Sequence, residues 1–162
     1  MSTETRLYHE LEPVYDRNSR VLILGSFPSV VSRKEQFYYA NRTNRFWPVL
    51  SAVFEEEITD RKQFCLDHRI ALWDVIESCT IHGSNDASIK DVRPNDINGL
   101  IAETSVHTIV TTGGKAAALF QKYIVTEVRH IALPSTSAAN ASMRLEQLIK
   151  EYQIVRSVIE EN

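Results

Sequence analysis

Cysteine is nearly absent from this chain: only Cys65 and Cys79 occur in 162 residues, and they form no Cys-x-x-Cys pair. Two thiols are too few for a cysteine-ligated iron–sulfur cluster, and their spacing is wrong for a thiolate zinc site. Cys65 falls in a helical stretch and Cys79 in an expected loop, so both read as ordinary thiols of a reducing compartment. The five histidines, at positions 9, 68, 82, 107 and 130, share no metal-ligand spacing, so no metal or other cofactor is expected. His107 and His130 adjoin strand-like runs and read as structural. No apolar run is long enough to span a bilayer. The opening Met1-Ser2-Thr3-Glu4-Thr5-Arg6 leads into an acidic, helical stretch and lacks the apolar core of a secretory signal. A soluble cytoplasmic protein without a membrane partner is expected. Excess positive charge is lacking too. A net charge of −3 weighs against wholesale non-specific nucleic-acid binding, although a local patch suffices when phosphate contacts are few. Arg33, Lys34, Arg42 and Arg45 gather in one stretch, with Glu55, Glu56 and Glu57 beyond it; a solvated surface and a phosphate-contacting patch are both open readings.

What is present is a chain with 43% hydrophobic residues, enough for one domain over residues 1–162 with a sizeable core. Val21-Leu22-Ile23-Leu24 is apolar at every position, as a parallel strand covered on both faces reads. Similar runs occupy residues 70–76, 106–110 and 128–133. Helical patterns separate them: Phe46 to Phe54, Asp60 to His68, a helix after Pro94-Asn95-Asp96, another opened by Gly113-Gly114-Lys115, and a last one carrying Leu145, Leu148, Tyr152, Val155 and Ile159. This alternation predicts an α/β fold, a three-layer α/β/α sandwich around a central, mainly parallel, four-stranded sheet. The stretch from Glu77 to Arg93 is polar and without clear period, and is expected to be a long loop.

Two polar-aromatic blocks lie at the ends of strand-like runs. The first is Gly25-Ser26-Phe27-Pro28-Ser29, followed by Phe37-Tyr38-Tyr39-Ala40-Asn41-Arg42-Thr43-Asn44-Arg45-Phe46-Trp47; the second is Leu133-Pro134-Ser135-Thr136-Ser137-Ala138-Ala139-Asn140. Parallel strands bring their carboxyl ends to one edge, so both blocks are expected to meet in one crevice. Gly25 permits close approach and Pro28 fixes the backbone where no donor is needed. The three aromatics at 37–39 are either core or a platform that stacks on a flat base. Asn44 is placed to cap the helix that follows; functionally, its carboxamide has both an acceptor and donors. No Gly-x-Ser-x-Gly elbow is present, and Gly113-Gly114-Lys115 lacks the rest of a phosphate loop. Asp74 and Asp86 are acids that can reach the crevice or cap loops.

These blocks, together with Asn44-Arg45-Phe46-Trp47 and Leu133-Pro134, resemble the motifs of the uracil-DNA glycosylase superfamily. The resemblance is closest to its hypoxanthine-DNA (deoxyinosine) glycosylases, near the mismatch-specific uracil glycosylases, and runs from about Arg20 to the last helix. It implies a monofunctional repair glycosylase that flips a deaminated base, hypoxanthine above all, out of double-stranded DNA and hydrolyses its N-glycosidic bond. It also implies a monomer that needs no cofactor. Phe27 stands where other branches carry asparagine or aspartate to position water, and Asn44 is the replacement the resemblance implies. Tyr39 matches the aromatic that stacks on the extruded base. Ser135 and Thr136 replace an asparagine and a proline, and Ala139 stands where relatives carry a larger wedge.

By this reading Asn44 is catalytic, and Gly25, Ser26, Phe27, Pro28, Ser29 and Tyr39 bind the base. Arg42, Arg45, Ser135, Thr136, Ser137 and Asn140 contact DNA, with Arg45 alternatively bracing the loop through carbonyls and Asn140 capping the following helix. A preference for uracil or for several deaminated bases, a non-catalytic DNA or nucleotide binder on the same fold, and a small-molecule hydrolase using Ser26 or Ser29 are the competing functions.

Overall fold

The apolar run at 21–24 has residues of both parities to bury, and the fold covers it on both sides. In the computed structural model, which describes residues 4–82 and 89–161, strand β2 (Val21–Gly25) lies inside a four-stranded sheet of order β3-β2-β6-β7, with every pairing parallel. Its neighbours are β3 (Ile70–Asp74), β6 (Thr108–Thr112) and β7 (Arg129–Leu133). Successive β2 side chains point to opposite faces. Val21 and Ile23 enter a core with α2 (Phe46–Phe54), α3 (Arg61–Asp67) and α6 (Leu145–Ile159), while Leu22 and Leu24 enter another with α4 (Ile97–Ala102) and α5 (Gly114–Tyr123). This is the expected three-layer sandwich. Each fully buried Leu or Ile contributes about 1.5–3 kcal/mol relative to exposure, so the central strand alone anchors the domain.

A second sheet was not expected. Strands β1 (Glu4–Tyr8), β4 (Ile76–His82) and β5 (Lys90–Pro94) pair antiparallel in the order β1-β4-β5. The segment expected to be helical instead holds β1, followed by irregular backbone in which Val14 bridges to Leu72. Pro13 bars helix continuation there. Much of the expected loop at 77–93 is β4 and β5; two register shifts along β4 break the two-residue alternation that would have betrayed it. Cys79 is consequently buried in a strand, in a small core with Ile76 and Ile81. Cys65 is buried in α3, where burial pushes its thiol up to about 12, as suits an inert cysteine. Asp86 lies outside the described residues. Among the described residues no helix is long and apolar enough to cross a membrane.

The sandwich brings the carboxyl ends of β2, β3, β6 and β7 to one edge. Register pairs Gly25 with Asp74 and Thr112 with Leu133, so both motif blocks leave the sheet at the same level.

Candidate functional site

The two blocks meet. A cavity of about 340 Å³ at the carboxyl edge is lined by Gly25 to Ser29, Tyr39, Asn44, Asp74, Thr112 to Lys115, and Ser135 to Ala138, among others. That volume lies at the lower end of the range for small-molecule sites.

Gly25 is required by its neighbour: a Cβ there would stand 2.6 Å from Asp74 Oδ1 and 3.4 Å from the Tyr39 hydroxyl. Gly113 has φ +98°, its amide donates to Leu133 O (2.8 Å), and a Cβ would press Ser135 Cβ at 3.1 Å. Beyond Gly25, Pro28 is buried and Ser29 caps the short helix α1 (Val30–Glu35), its Oγ accepting from the Ser32 amide at 3.1 Å. Ser29 thus has a structural role at the cavity rim. Phe27 lines the cavity and also packs on the second sheet's core, edge-on to His9.

The three aromatics divide between the two readings. Phe37, half-buried against the core, stacks on Trp47, and Tyr38 is buried in the core with its hydroxyl donating to Glu12 O (2.8 Å) while also bordering the cavity. Tyr39 stacks on Phe46 with centroids 3.8 Å apart and planes at 16°, and it lines the cavity. One face of the ring is covered by Phe46. Tyr39 holds φ +52°, a left-handed conformation rare for a bulky residue, which the surrounding packing must hold in place. Its hydroxyl lies 3.2 Å from Thr112 Oγ1. Burial, reinforced by the Asp74 charge, pushes that phenol well above its ordinary range, so it stays protonated.

Asn44 is held on both sides. Its Oδ1 accepts from the Phe46 amide (2.9 Å) and from the Thr136 hydroxyl (2.7 Å). An amide N–H only donates, so the oxygen is fixed by this network and both its lone pairs are engaged. The cap position of α2 is Arg45, not Asn44 as expected from the sequence, yet the Asn44 oxygen still satisfies the first helical amide and is not free to hold water. Nδ2 is the polar atom Asn44 offers the cavity.

The second loop is organised from the first. The Arg45 guanidinium donates to the carbonyls of Ser137 (2.8 Å), Asn140 (3.1 Å), Thr136 (3.4 Å) and Met143, and its amide donates to Thr136 O (3.0 Å). Of the two roles open to Arg45, this is the bracing one. Thr136, 2% exposed, lines the cavity and is turned inward, its hydroxyl donating to Asn44 Oδ1. Ser135 Oγ accepts from the Ser137 amide (3.1 Å) and Ser137 Oγ from the Ala139 amide (3.2 Å), tight hydroxyl turns that shape the loop. Asn140 does not cap a helix: α6 begins only at Leu145, and the Asn140 Nδ2 instead donates to Ser135 O (3.0 Å), closing the loop on itself. It does not line the cavity; nor does Arg42, which is exposed on a neighbouring groove with Arg61, Phe37 and Asn41.

One cavity residue was legible in the sequence and its hydrogen-bonded partner was not. Asp74, the acid ending β3, was legible as a crevice candidate. Its partner was not: His9 Nε2 lies 2.8 Å from Asp74 Oδ2, and the two side chains are 2% and 5% exposed. His9 comes from the segment expected to be helical. His107 Nδ1 and His130 Nε2 each contact a threonine hydroxyl at 2.8 Å, but His107 Nε2 is buried without a hydrogen-bond partner among the described residues, so His107 is not the fully satisfied residue expected; burial lowers the His130 pKa.

Comparison with known proteins agrees with this geometry. The family model of the uracil DNA glycosylase superfamily matches residues 12–156. A hypoxanthine DNA glycosylase from Methanosarcina acetivorans is 35% identical over 137 residues, 78% of this chain and 84% of that protein. One from Methanosarcina barkeri is 31% identical over 114 residues, 67% of this chain and 72% of that protein. A solution NMR structure from Methanosarcina acetivorans, solved as a candidate uracil DNA glycosylase, superposes with TM-score 0.75 at 31% identity, covering 93% of this chain and 97% of that one. The chain belongs to the uracil DNA glycosylase superfamily.

Proposed function

We propose that this protein is a monofunctional glycosylase that excises hypoxanthine from deoxyinosine in double-stranded DNA. The observation that carries the reading is the cavity in which Tyr39 and Asn44, from one loop, face the Ser135–Ala138 segment of another, distant in sequence. The relatives named as hypoxanthine DNA glycosylases support the choice of base.

Breaking the bond from C1′ to the base leaves positive charge on the sugar and negative charge on the departing ring. The electron pair of that bond leaves with the base, a water oxygen bonds to C1′, and the water's proton is released. An oxocarbenium-like sugar is electrophilic enough to need little activation of water. The protein's work is then to hold the extruded base and stabilise its charge as it leaves. Tyr39 provides the stacking surface. Asn44, its oxygen engaged by Phe46 and Thr136, donates from Nδ2 to the leaving base. Amides around Ser26 to Ser29 meet the exocyclic oxygen. The Ser135–Ser137 loop, shaped by Arg45, holds the sugar-phosphate, and exposed Arg42 meets phosphate along the strand.

Duplexes carrying one hypoxanthine, uracil or xanthine, incubated with protein and then alkali, test the reading. Strand breaks at hypoxanthine are expected. Breaks only at uracil would reassign the substrate, and breaks at none would leave a binding module.

A further inference from the structure

Beside the base cavity lies a second concavity, of about 610 Å³, whose lining includes Val31, Glu35, Phe37, Asn41, Arg42 and Arg61. The two adjoin, because Asn41 lines both. Asn41 also fixes the backbone between them: its Oδ1 accepts from the Thr43 amide (2.9 Å) and hydroxyl (2.8 Å), and Arg42 sits inside that tight turn. Arg61 arrives from a different element. Helix α3 (Arg61–Asp67) ends just before β3 begins at Ile70, so it runs antiparallel to the strand and starts toward the carboxyl edge, where the cavity lies.

Both arginines are exposed, and among the described residues neither forms an ion pair or donates a hydrogen bond. Arg61 instead lies over the Trp47 ring, its guanidinium carbon 5.2 Å from the centroid. An aromatic face orients a guanidinium without neutralising it or occupying its fork of N–H donors. The adjacent acid, Asp60, is engaged in capping α3, its carboxylate accepting from the Gln63 amide at 3.0 Å. Glu35, at the end of α1, is the carboxylate on the groove, so its lining carries two cations against one anion.

We propose that this groove is a phosphate subsite, in which Arg42 and Arg61 together grip one phosphate of the lesion strand flanking the extruded nucleotide. The inference rests on the reading that the neighbouring cavity takes that nucleotide's base. A strand with one base in the cavity continues past its rim, and at Asn41 the rim leads to two cations that no acid neutralises. Charge-assisted bonds from two guanidinium groups hold the flanking backbone while stacking is broken. Glu35 repels phosphate from the α1 side and so confines it to the arginines. The subsite is distinct from the Ser135–Ser137 loop, which lies on the cavity itself.

The test measures binding to a duplex with one deoxyinosine made uncleavable by 2′-fluorination. Each phosphate neutralised contributes about 0.9 to the slope of log affinity against log salt. Arg42→Gln/Arg61→Gln is expected to lower that slope by ~0.9; an unchanged slope overturns the proposal, since an Arg61 that only braces Trp47 would weaken binding without moving it. A second readout replaces each phosphate flanking the lesion in turn by an uncharged methylphosphonate. One replacement is expected to weaken wild type by about tenfold and leave the double variant unaffected. Equal penalties in both proteins at every position overturn the subsite. Should the double variant fail to fold, Arg42→Gln alone decides, because Arg42 makes no hydrogen bond or ion pair among the described residues: the penalty at that phosphate shrinks, or the proposal falls. Wild type that cleaves hypoxanthine duplex while these tests fail overturns the groove alone. Wild type that neither binds nor cleaves it overturns the proposed function and this inference with it.

Discussion

The two walls of the cavity are held by different physics. The 37–47 wall is fixed by packing: Phe37 on Trp47, Tyr39 on Phe46, and Phe46 edge-on to Trp47 with centroids 4.9 Å apart, all against one core. The 133–140 wall buries little beyond Leu133 and Thr136, and hydrogen bonds hold it: Arg45 on its carbonyls, Asn140 on Ser135 O, and Tyr152 on Pro134 O at 2.6 Å. Packing gives a stiff, non-directional platform, suited to stacking a ring. Hydrogen bonds define backbone shape without apolar bulk, which suits the sugar-phosphate contact of the proposed function. The two walls touch at Asn44–Thr136 and at Arg45, adjacent residues of the first wall that organise the second.

This contrast can be broken at either wall. The largest effect is expected from Phe46→Ala, which empties the platform's support and should cost about 3–5 kcal/mol of folding stability in denaturant titrations. A loss below about 1 kcal/mol would mean that packing does not hold that wall. Asn44→Ala should bind hypoxanthine duplex yet cleave it ~100-fold more slowly in single-turnover assays, the effect of one lost stabilising donor; near-normal cleavage removes Asn44 from the chemistry. Tyr39→Ala should weaken binding of an uncleaved lesion duplex by about 1–3 kcal/mol, and unchanged affinity would end the stacking assignment. Arg45→Lys keeps the charge but not the fork that spans several carbonyls. It should destabilise the second wall by about 1–2 kcal/mol while sparing the stacking surface. If lysine substitutes fully, charge rather than geometry braces the loop. Thr136→Val should be mildest, slowing cleavage by about 1 kcal/mol of barrier, roughly fivefold, through a less constrained Asn44.

The parallel sheet was legible because strands buried on both faces are apolar at every position, as Val21-Leu22-Ile23-Leu24 is. The helices at 46–54 and 145–159 were legible for the matching reason, a three-and-four spacing of apolar residues. The antiparallel sheet was not: β1 is stabilised by pairing with residues seventy or more positions away, and β4 is interrupted by irregular register. The site followed the same division. Residues on sheet-edge loops were found because topology sends them to one place. His9 escaped because it reaches Asp74 from a segment whose local pattern said helix. The inward turn of Thr136 and the bracing by Arg45 depend on rotamers that no spacing encodes.

The most direct test is the structure of Asn44→Ala bound to a duplex containing one deoxyinosine. The hypoxanthine ring should stand in the cavity against Tyr39, with the flanking sugar-phosphate on the Leu133–Ser137 loop. Hypoxanthine still stacked in the helix, or the duplex docked on another face, would contradict the account.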